Sequence, residues 1–299
     1  MSMNVTVEDF LKYLKYERNY SDLTVLAYRR ALRDYEDYVT TTTGQCDMLK
    51  LDVTLARGWM VNMGKRHLAV ASVKQAFCAL RSYCRYLRRK GLVADNPLAL
   101  LPTPKVTRTL PTWVREEQMD SLIDDTEYGD DFCGVRDRLL IDLLYSTGMR
   151  RSEAAGLRDR DIDLGDRSLR VTGKGNKQRI IPFGPELHTL ITQYLNMRDA
   201  SVGGPTETFF TNAEGEALSP QQVTNVVHKY LSQVPDLKRR GAHVLRHSFA
   251  TNMLAEGADL MAVKELLGHS TLDSTEVYTH LTPQELLQNY AKAHPRSKS

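Results

Sequence analysis

Six residues in the C-terminal two thirds of this 299-residue chain put reactive groups into otherwise apolar patterns. The segment GAHVLRHSFATNML opens with His243, Arg246 and His247, although Leu245, Phe249, Met253 and Leu254 mark the apolar stripe of a helix meant for burial. Arg150 follows Gly148 in LLIDLLYSTGMRRSEAAGL, at the join between two apolar helices. His269 comes after the helix-stopping Gly268 in ELLGHST, Tyr278 lies nine residues further on in TEVYTHL, and Lys174 stands in the turn of SLRVTGKGNKQRIIPF. Together Arg150, Lys174, His243, Arg246, His269 and Tyr278 supply two fixed cations, a movable proton donor, two imidazoles and a nucleophile. No cluster of Asp or Glu suited to Mg²⁺ accompanies them. That inventory suits metal-free phosphoryl transfer at a DNA phosphodiester. The phosphorane-like transition state carries extra negative charge on its non-bridging oxygens, and planar guanidinium forks pair with those oxygens where other enzymes use a metal.

Taken singly, each residue has an ordinary explanation. A tyrosine among apolar residues usually belongs to a core, Arg150 can form an ion pair with Glu153 one turn on, and a lysine in a turn is usually just exposed. His243 and His247 at i, i+4 could hold zinc, but the HExxH pattern of zinc hydrolases needs Glu where Val244 stands. His247 is read as structural. A DNA-binding protein without catalysis would not need the complete set, so the set as a whole carries the reading.

The elements that must position these groups are mainly helices. Val7, Phe10, Leu11 and Leu14 share one helical face with Thr6 placed as N-cap, and a second helix after Ser21 turns Tyr28, Leu32, Tyr35 and Val39 inward. A third covers roughly Val53 to Met63. A fourth, Ser72 to about Lys90, buries Val73, Phe77, Leu80, Cys84 and Leu87 and stops at Gly91. The stretch LPTPKVTRTLPTW has three prolines and no period, which predicts a linker at 101–112 between an N-terminal helical domain, 1–100, and a C-terminal domain, 113–299. In the second domain SLRVTGKGNKQRIIPF reads as a β-hairpin in mostly helical surroundings.

Charge is divided unevenly. The chain's net charge is +3, yet residues 1–110 hold 18 Lys and Arg against 10 Asp and Glu, as a phosphate-tracking domain would. Arg29, Arg30, Lys74, Arg81 and Arg85 are its candidate DNA-binding residues. The four cysteines show no CxxC pair and read as reduced packing residues. No apolar run is long enough to span a membrane, and MSMNVTVEDFLKY has no signal-peptide core, which points to the cytoplasm.

TGMRRSE, GKGNKQR, HVLRHSFAT, LLGHS and TEVYTH, with TVLAYRRAL and SVKQAFCALRSYCRYL in the N-terminal half, closely resemble the tyrosine recombinases, and among them the Xer type. The resemblance covers nearly the whole chain. It implies a SAM-like core-binding helical domain followed by an α+β catalytic domain, and it carries roles over to matching positions. Tyr278 would attack the scissile phosphate and form a 3′-phosphotyrosyl bond. Arg150 and Arg246 would hold the non-bridging oxygens, Lys174 would protonate the leaving 5′ oxygen, His243 would assist proton transfer and His269 would donate to the phosphate. Glu153 would orient His243 or the arginine box. Arg151 departs from the pattern, because that slot is more often apolar.

The resemblance further implies an enzyme without cofactor or metal, acting as a homo- or hetero-tetramer on two DNA duplexes through a Holliday junction. It would resolve chromosome dimers on the nucleoid, alongside a DNA-translocating motor protein. An integrase of a phage, integron or transposon would use the same chemistry and is the nearest alternative. Leu281, Thr282, Pro283 and Glu285 specify a helix start after Tyr278, and this terminal helix is expected to dock on a neighbouring protomer.

Overall fold

The computed structural model describes residues 5–105, 112–173, 177–204, 206–268, 290–294 and 296. Its chain divides into two compact units, Met1–Thr109 and Leu110–Ser299.

The first unit is a helical bundle. Helix α1 (Val5–Lys12) runs on through a π-helical turn, Tyr13–Glu17, and is followed by α2 (Asp22–Thr43), α3 (Val53–Lys65) and α4 (Val70–Arg89). Val7, Phe10, Leu11 and Leu14 are all buried, as their spacing predicts, and Phe10 meets Tyr83 edge-on at 5.4 Å. Thr6, expected as an N-cap, instead lies inside α1, where its hydroxyl accepts a hydrogen bond from Tyr83 at 3.2 Å. Ser21 and Asp52 cap α2 and α3 by accepting from Thr24 N and Leu55 N. Tyr28 is only half-buried. Leu98 and Leu101 join this core, so packing continues past residue 100.

In the second unit α6 (Phe132–Thr147) is the central element, apolar around most of its circumference, and it packs against α8 (Pro185–Val202) and α10 (Ala242–Ala255). Ahead of α6, α5 (Glu116–Asp120) continues as a π turn, Ser121–Asp125. After it come the short α7 (Arg151–Ala155) and an antiparallel sheet in the order β1 (Ile162–Asp163), β2 (Ser168–Thr172), β3 (Gln178–Pro182). The predicted hairpin is thus β2–β3, with Val171 opposite Arg179, while β1 was not foreseen because its pairing spans only two residues. Helices α9 (Pro220–Leu231) and α11 (Leu260–Leu267) complete the unit. Leu245, Phe249 and Met253 are buried at 0% exposure, but Leu254 is 41% exposed, because it stands about 100° round the helix from the row that the other three form.

Residues 290–294 lie against their own unit. His294 stacks on Tyr290 at 4.7 Å and also meets Tyr145 and Phe249. Burial pushes the His294 imidazole down to about 3, so it is neutral. Arg296 ion-pairs with Asp124, Asp142 and Glu186.

Two left-handed glycines make different demands on these units. Gly148 ends α6 at φ +58°, and a Cβ there would stand 2.5 Å from Phe249 and 2.8 Å from Leu267, whereas Gly44 at φ +83° has nothing within 4 Å. Gly148→Ala is therefore expected to destabilise the second unit by about 2–4 kcal/mol, against roughly 1 kcal/mol for Gly44→Ala in the first. Urea unfolding of the two variants, followed unit by unit, checks this; equal losses would contradict it.

Candidate active site

Arg150 owes its place to the end of α6. Gly148 turns the chain in the left-handed region, Met149 is fully buried behind it, and Arg150 becomes the residue preceding α7. Glu153, three residues on, reaches back so that its Oε2 accepts from the Arg150 backbone N–H at 2.8 Å while its Oε1 accepts from Arg150 Nη1 at 2.7 Å. The sequence alternative of a structural ion pair and the family's acidic position are therefore one contact. Glu153 bonds with the arginine box.

A third arginine completes the arrangement. Arg179, on β3, donates Nη2 to Glu153 Oε2 at 2.8 Å and Nη1 to Glu153 Oε1 at 3.2 Å. Four donors thus saturate one carboxylate that is only 5% exposed. Arg179 went unremarked in the sequence, although the signal was there. Strand alternation gives it the same inward parity as the fully buried Ile181, with Gln178 and Ile180 facing out.

The arginines meet again at the end of α11. Arg179 Nε donates to Leu266 O at 2.7 Å, Arg246 Nη2 to Leu267 O at 2.6 Å, and Arg150 Nη2 to Gly268 O at 3.3 Å. Three consecutive carbonyls, which a helix terminus leaves without helical partners, each take one guanidinium N–H. Gly268 is left-handed at φ +64°, and a Cβ there would press on Arg179 at 3.2 Å. Arg246 also donates to Gly148 O at 2.7 Å, which ties α10 to the turn that sets Arg150.

The electrostatics follow from this packing. For Glu153 burial is the largest single influence and raises its pKa, but the hydrogen bonds from Arg179 and Arg150 together outweigh it and hold the carboxyl below its ordinary range. Burial, and then repulsion from Arg150, push the Arg246 guanidinium down to about 10, with Glu153 opposing and Arg179 adding to the fall. Arg246 stays charged at neutral pH.

Of the other expected residues, His243 is exposed in the first turn of α10 and His247 is half-buried one turn on. Lys174, His269 and Tyr278 lie outside the described residues, as do Leu281, Thr282, Pro283 and Glu285. Among the described residues no group of three or more His, Cys, Asp or Glu could hold a metal ion. Arg151 donates to Thr224 Oγ1 on α9 at 2.8 Å and is exposed, so its polar head serves the α7–α9 contact.

In the first unit Lys74, Cys78, Arg81 and Arg85 follow one face of α4 at i, i+4, i+7 and i+11. Lys74, Cys78 and Arg85 are exposed, so Cys78 is a surface thiol and not a packing residue. Arg30 is exposed on α2, whereas Arg81 donates to Ala99 O at 3.2 Å and Arg29 is paired through Nη1 and Nη2 with Glu8.

Comparison with known proteins places these features in a family. The model of the phage integrase family matches residues 112–285, and that of the phage integrase N-terminal SAM-like domain matches residues 7–91. The chain is 37% identical over 294 residues to the tyrosine recombinase XerC of Pelobacter propionicus, covering 98% of this chain and 96% of that protein. Against the XerC of Chlorobaculum tepidum it is 35% identical, covering 97% and 94%. Among solved structures, XerH site-specific recombinase bound to a palindromic difH substrate, a post-cleavage complex, is 25% identical with a TM-score of 0.70 over 95% of this chain and 83% of that one. No helix among the described residues is long and apolar enough to cross a membrane.

Because Glu153 titrates lower in the folded than in the unfolded chain, its stabilising contribution is complete above its ordinary value of 4.5 and is lost as pH falls through the lowered native value. Glu153→Gln should cost about 2–3 kcal/mol at pH 7, with the gap to the unaltered protein closing below pH 4.5. Urea unfolding at pH 7 and at progressively lower pH measures that gap; a gap independent of pH would refute the assignment.

Proposed function

The chain belongs to the phage integrase family, as a site-specific tyrosine recombinase of the Xer type, and from that membership we propose how its own residues break and rejoin DNA. The Tyr278 oxygen attacks the scissile phosphorus, the bond from phosphorus to the 5′ oxygen breaks, and the DNA is held by a 3′-phosphotyrosyl link. An unperturbed phenol has a pKa of about 10, so it must lose its proton as it attacks, and His243 takes part in that transfer. Lys174 gives a proton to the departing 5′ oxygen. Arg150 and Arg246 pair with the non-bridging oxygens and His269 donates to the same phosphate.

One observation supports this division of labour above the rest. Arg150 and Arg246 arrive from different helices and meet at the carbonyls of Leu267 and Gly268, immediately before His269. Their cations gather beside the third motif. Arg150 keeps 34% of its side chain exposed, which leaves a guanidinium edge open to an incoming phosphate.

The phosphotyrosyl link conserves the energy of the broken bond, so the 5′-hydroxyl of another strand can reverse the reaction without ATP. Four protomers, identical or paralogous, on two duplexes would pass through a Holliday junction by exchanging one pair of strands at a time. In that assembly the terminal segment, whose described part rests on its own chain, would be handed to a neighbour. Arg30, Lys74 and Arg85 would follow the DNA backbone from the first unit, while Arg29 and Arg81, engaged within the chain, would contribute less. The full-length likeness to XerC proteins favours resolution of chromosome dimers, on the nucleoid and with a translocating motor, over integration of a mobile element.

Covalent trapping tests the reading. Incubated with nicked genomic DNA in EDTA and denatured in SDS, the protein should carry DNA fragments sharing one junction, and Tyr278→Phe should carry none. Arg150→Ala or Arg246→Ala should slow cleavage by about 10²–10³-fold. Absence of adducts from a protein that still shifts DNA in a gel would reject the catalytic assignment. In salt titrations of DNA binding, Lys74→Gln and Arg85→Gln should each lower the slope of log affinity against log salt by about 1; unchanged slopes would remove these residues from the interface.

A further inference from the structure

The mechanism above leaves Arg179 without a part, although all three of its side-chain nitrogens donate within the cluster, two of them to Glu153. We propose that Arg179 is a positioning residue for strand cleavage: it balances Glu153 so that Arg150 keeps its charge for the scissile phosphate, and it pins the turn that leads into His269. The inference rests on the recombinase reading.

Its geometry separates it from Arg150. The Arg179 side chain is 10% exposed, and all three of its nitrogens donate within the protein, two to Glu153 and one to Leu266 O. Arg150, by contrast, is 34% exposed. A buried carboxylate paired with Arg150 alone would form a neutral couple and leave Arg246 as the only net cation nearby. With Arg179 present, Arg150, Arg179 and Glu153 sum to +1. The bidentate fork on Glu153 also fixes which oxygen edge Arg150 can use, a geometry that lysine cannot reproduce.

Position in the chain adds the second function. Arg179 lies on β3, opposite Val171 of β2, five residues after Lys174 in the sequence, and its bond to Leu266 falls three residues before His269. One side chain therefore joins the lysine hairpin, the first arginine motif and the approach to the third. Arg179 also approaches Gly268 closely: a Cβ there would stand 3.2 Å from its Cδ and Nη1, so a side chain at 268 would make the guanidinium give by a few tenths of an ångström.

The test is single-turnover cleavage of a nicked duplex bearing the junction recovered by trapping, with the full-length protein, Arg179→Lys, Arg179→Gln and Glu153→Gln/Arg179→Gln. Arg179→Gln should cleave about 10²-fold more slowly with DNA affinity little changed, and adding Glu153→Gln should restore about tenfold, because it removes the charge that would otherwise claim Arg150. On a duplex with a methylphosphonate at the scissile position, which lacks one charged oxygen, the deficit of Arg179→Gln should narrow. Should Arg179→Gln fail to fold by its unfolding transition, Arg179→Lys, which keeps the charge without the fork, should show a smaller deficit with the same narrowing. Cleavage by the variants at the unaltered rate, or a deficit that neither Glu153→Gln nor the methylphosphonate relieves, would overturn the inference and leave the recombinase reading standing. Failure of the unaltered protein to form a Tyr278 adduct would bring down both.

Discussion

Crowding of like charge is the constraint on which the catalytic unit depends. Three guanidinium groups share one small volume, and Arg246 registers the strain as a pKa lowered by its burial and by its neighbours. Two features make the cluster tolerable. The saturated Glu153 carboxylate supplies opposite charge at close range, and the terminal carbonyls of α11 supply the negative end of a helix. Neither alone would hold three arginines, since a single carboxylate offsets only one charge.

The fold around the cluster is arranged to deliver those carbonyls and arginines to one place. Two helices end in left-handed glycines, α6 at Gly148 and α11 at Gly268, and the carbonyls of both glycines accept from the arginines. Phe249 and Leu267 close over Gly148, so the packing that buries α10 also seats Arg246 beneath it. Core and site are built from the same contacts. An arginine buried in this way loses little side-chain entropy when it meets a phosphate, because its rotamer is already held.

A different electrostatic solution holds the terminal segment. Arg296 is nearly buried among carboxylates from α6, α8 and the turn after α5, while His294 is kept neutral within an aromatic stack. Ion pairs and an aromatic stack thus act together in holding the segment to its own unit.

Much of this was legible in the sequence for local reasons. Helical spacing identified the buried faces of α1, α2 and α4, and β-branched runs around a glycine turn identified the hairpin, because each signal depends on residues a few positions apart. The order of Arg150, Lys174, His243, Arg246, His269 and Tyr278 was enough to name a chemistry and a family. Thr6, Leu254 and Cys78 were misjudged because capping and burial at the end of a stripe depend on which neighbour arrives. Above all, only the tertiary structure decided which groups Glu153 pairs with and brought Arg179 to it. The partners of Glu153 come from positions 3 and 26 residues away, and those of the α11 carbonyls from positions up to 118 away. Charge balance is a property of groups that meet in space, and a linear chain holds no record of which ones will meet.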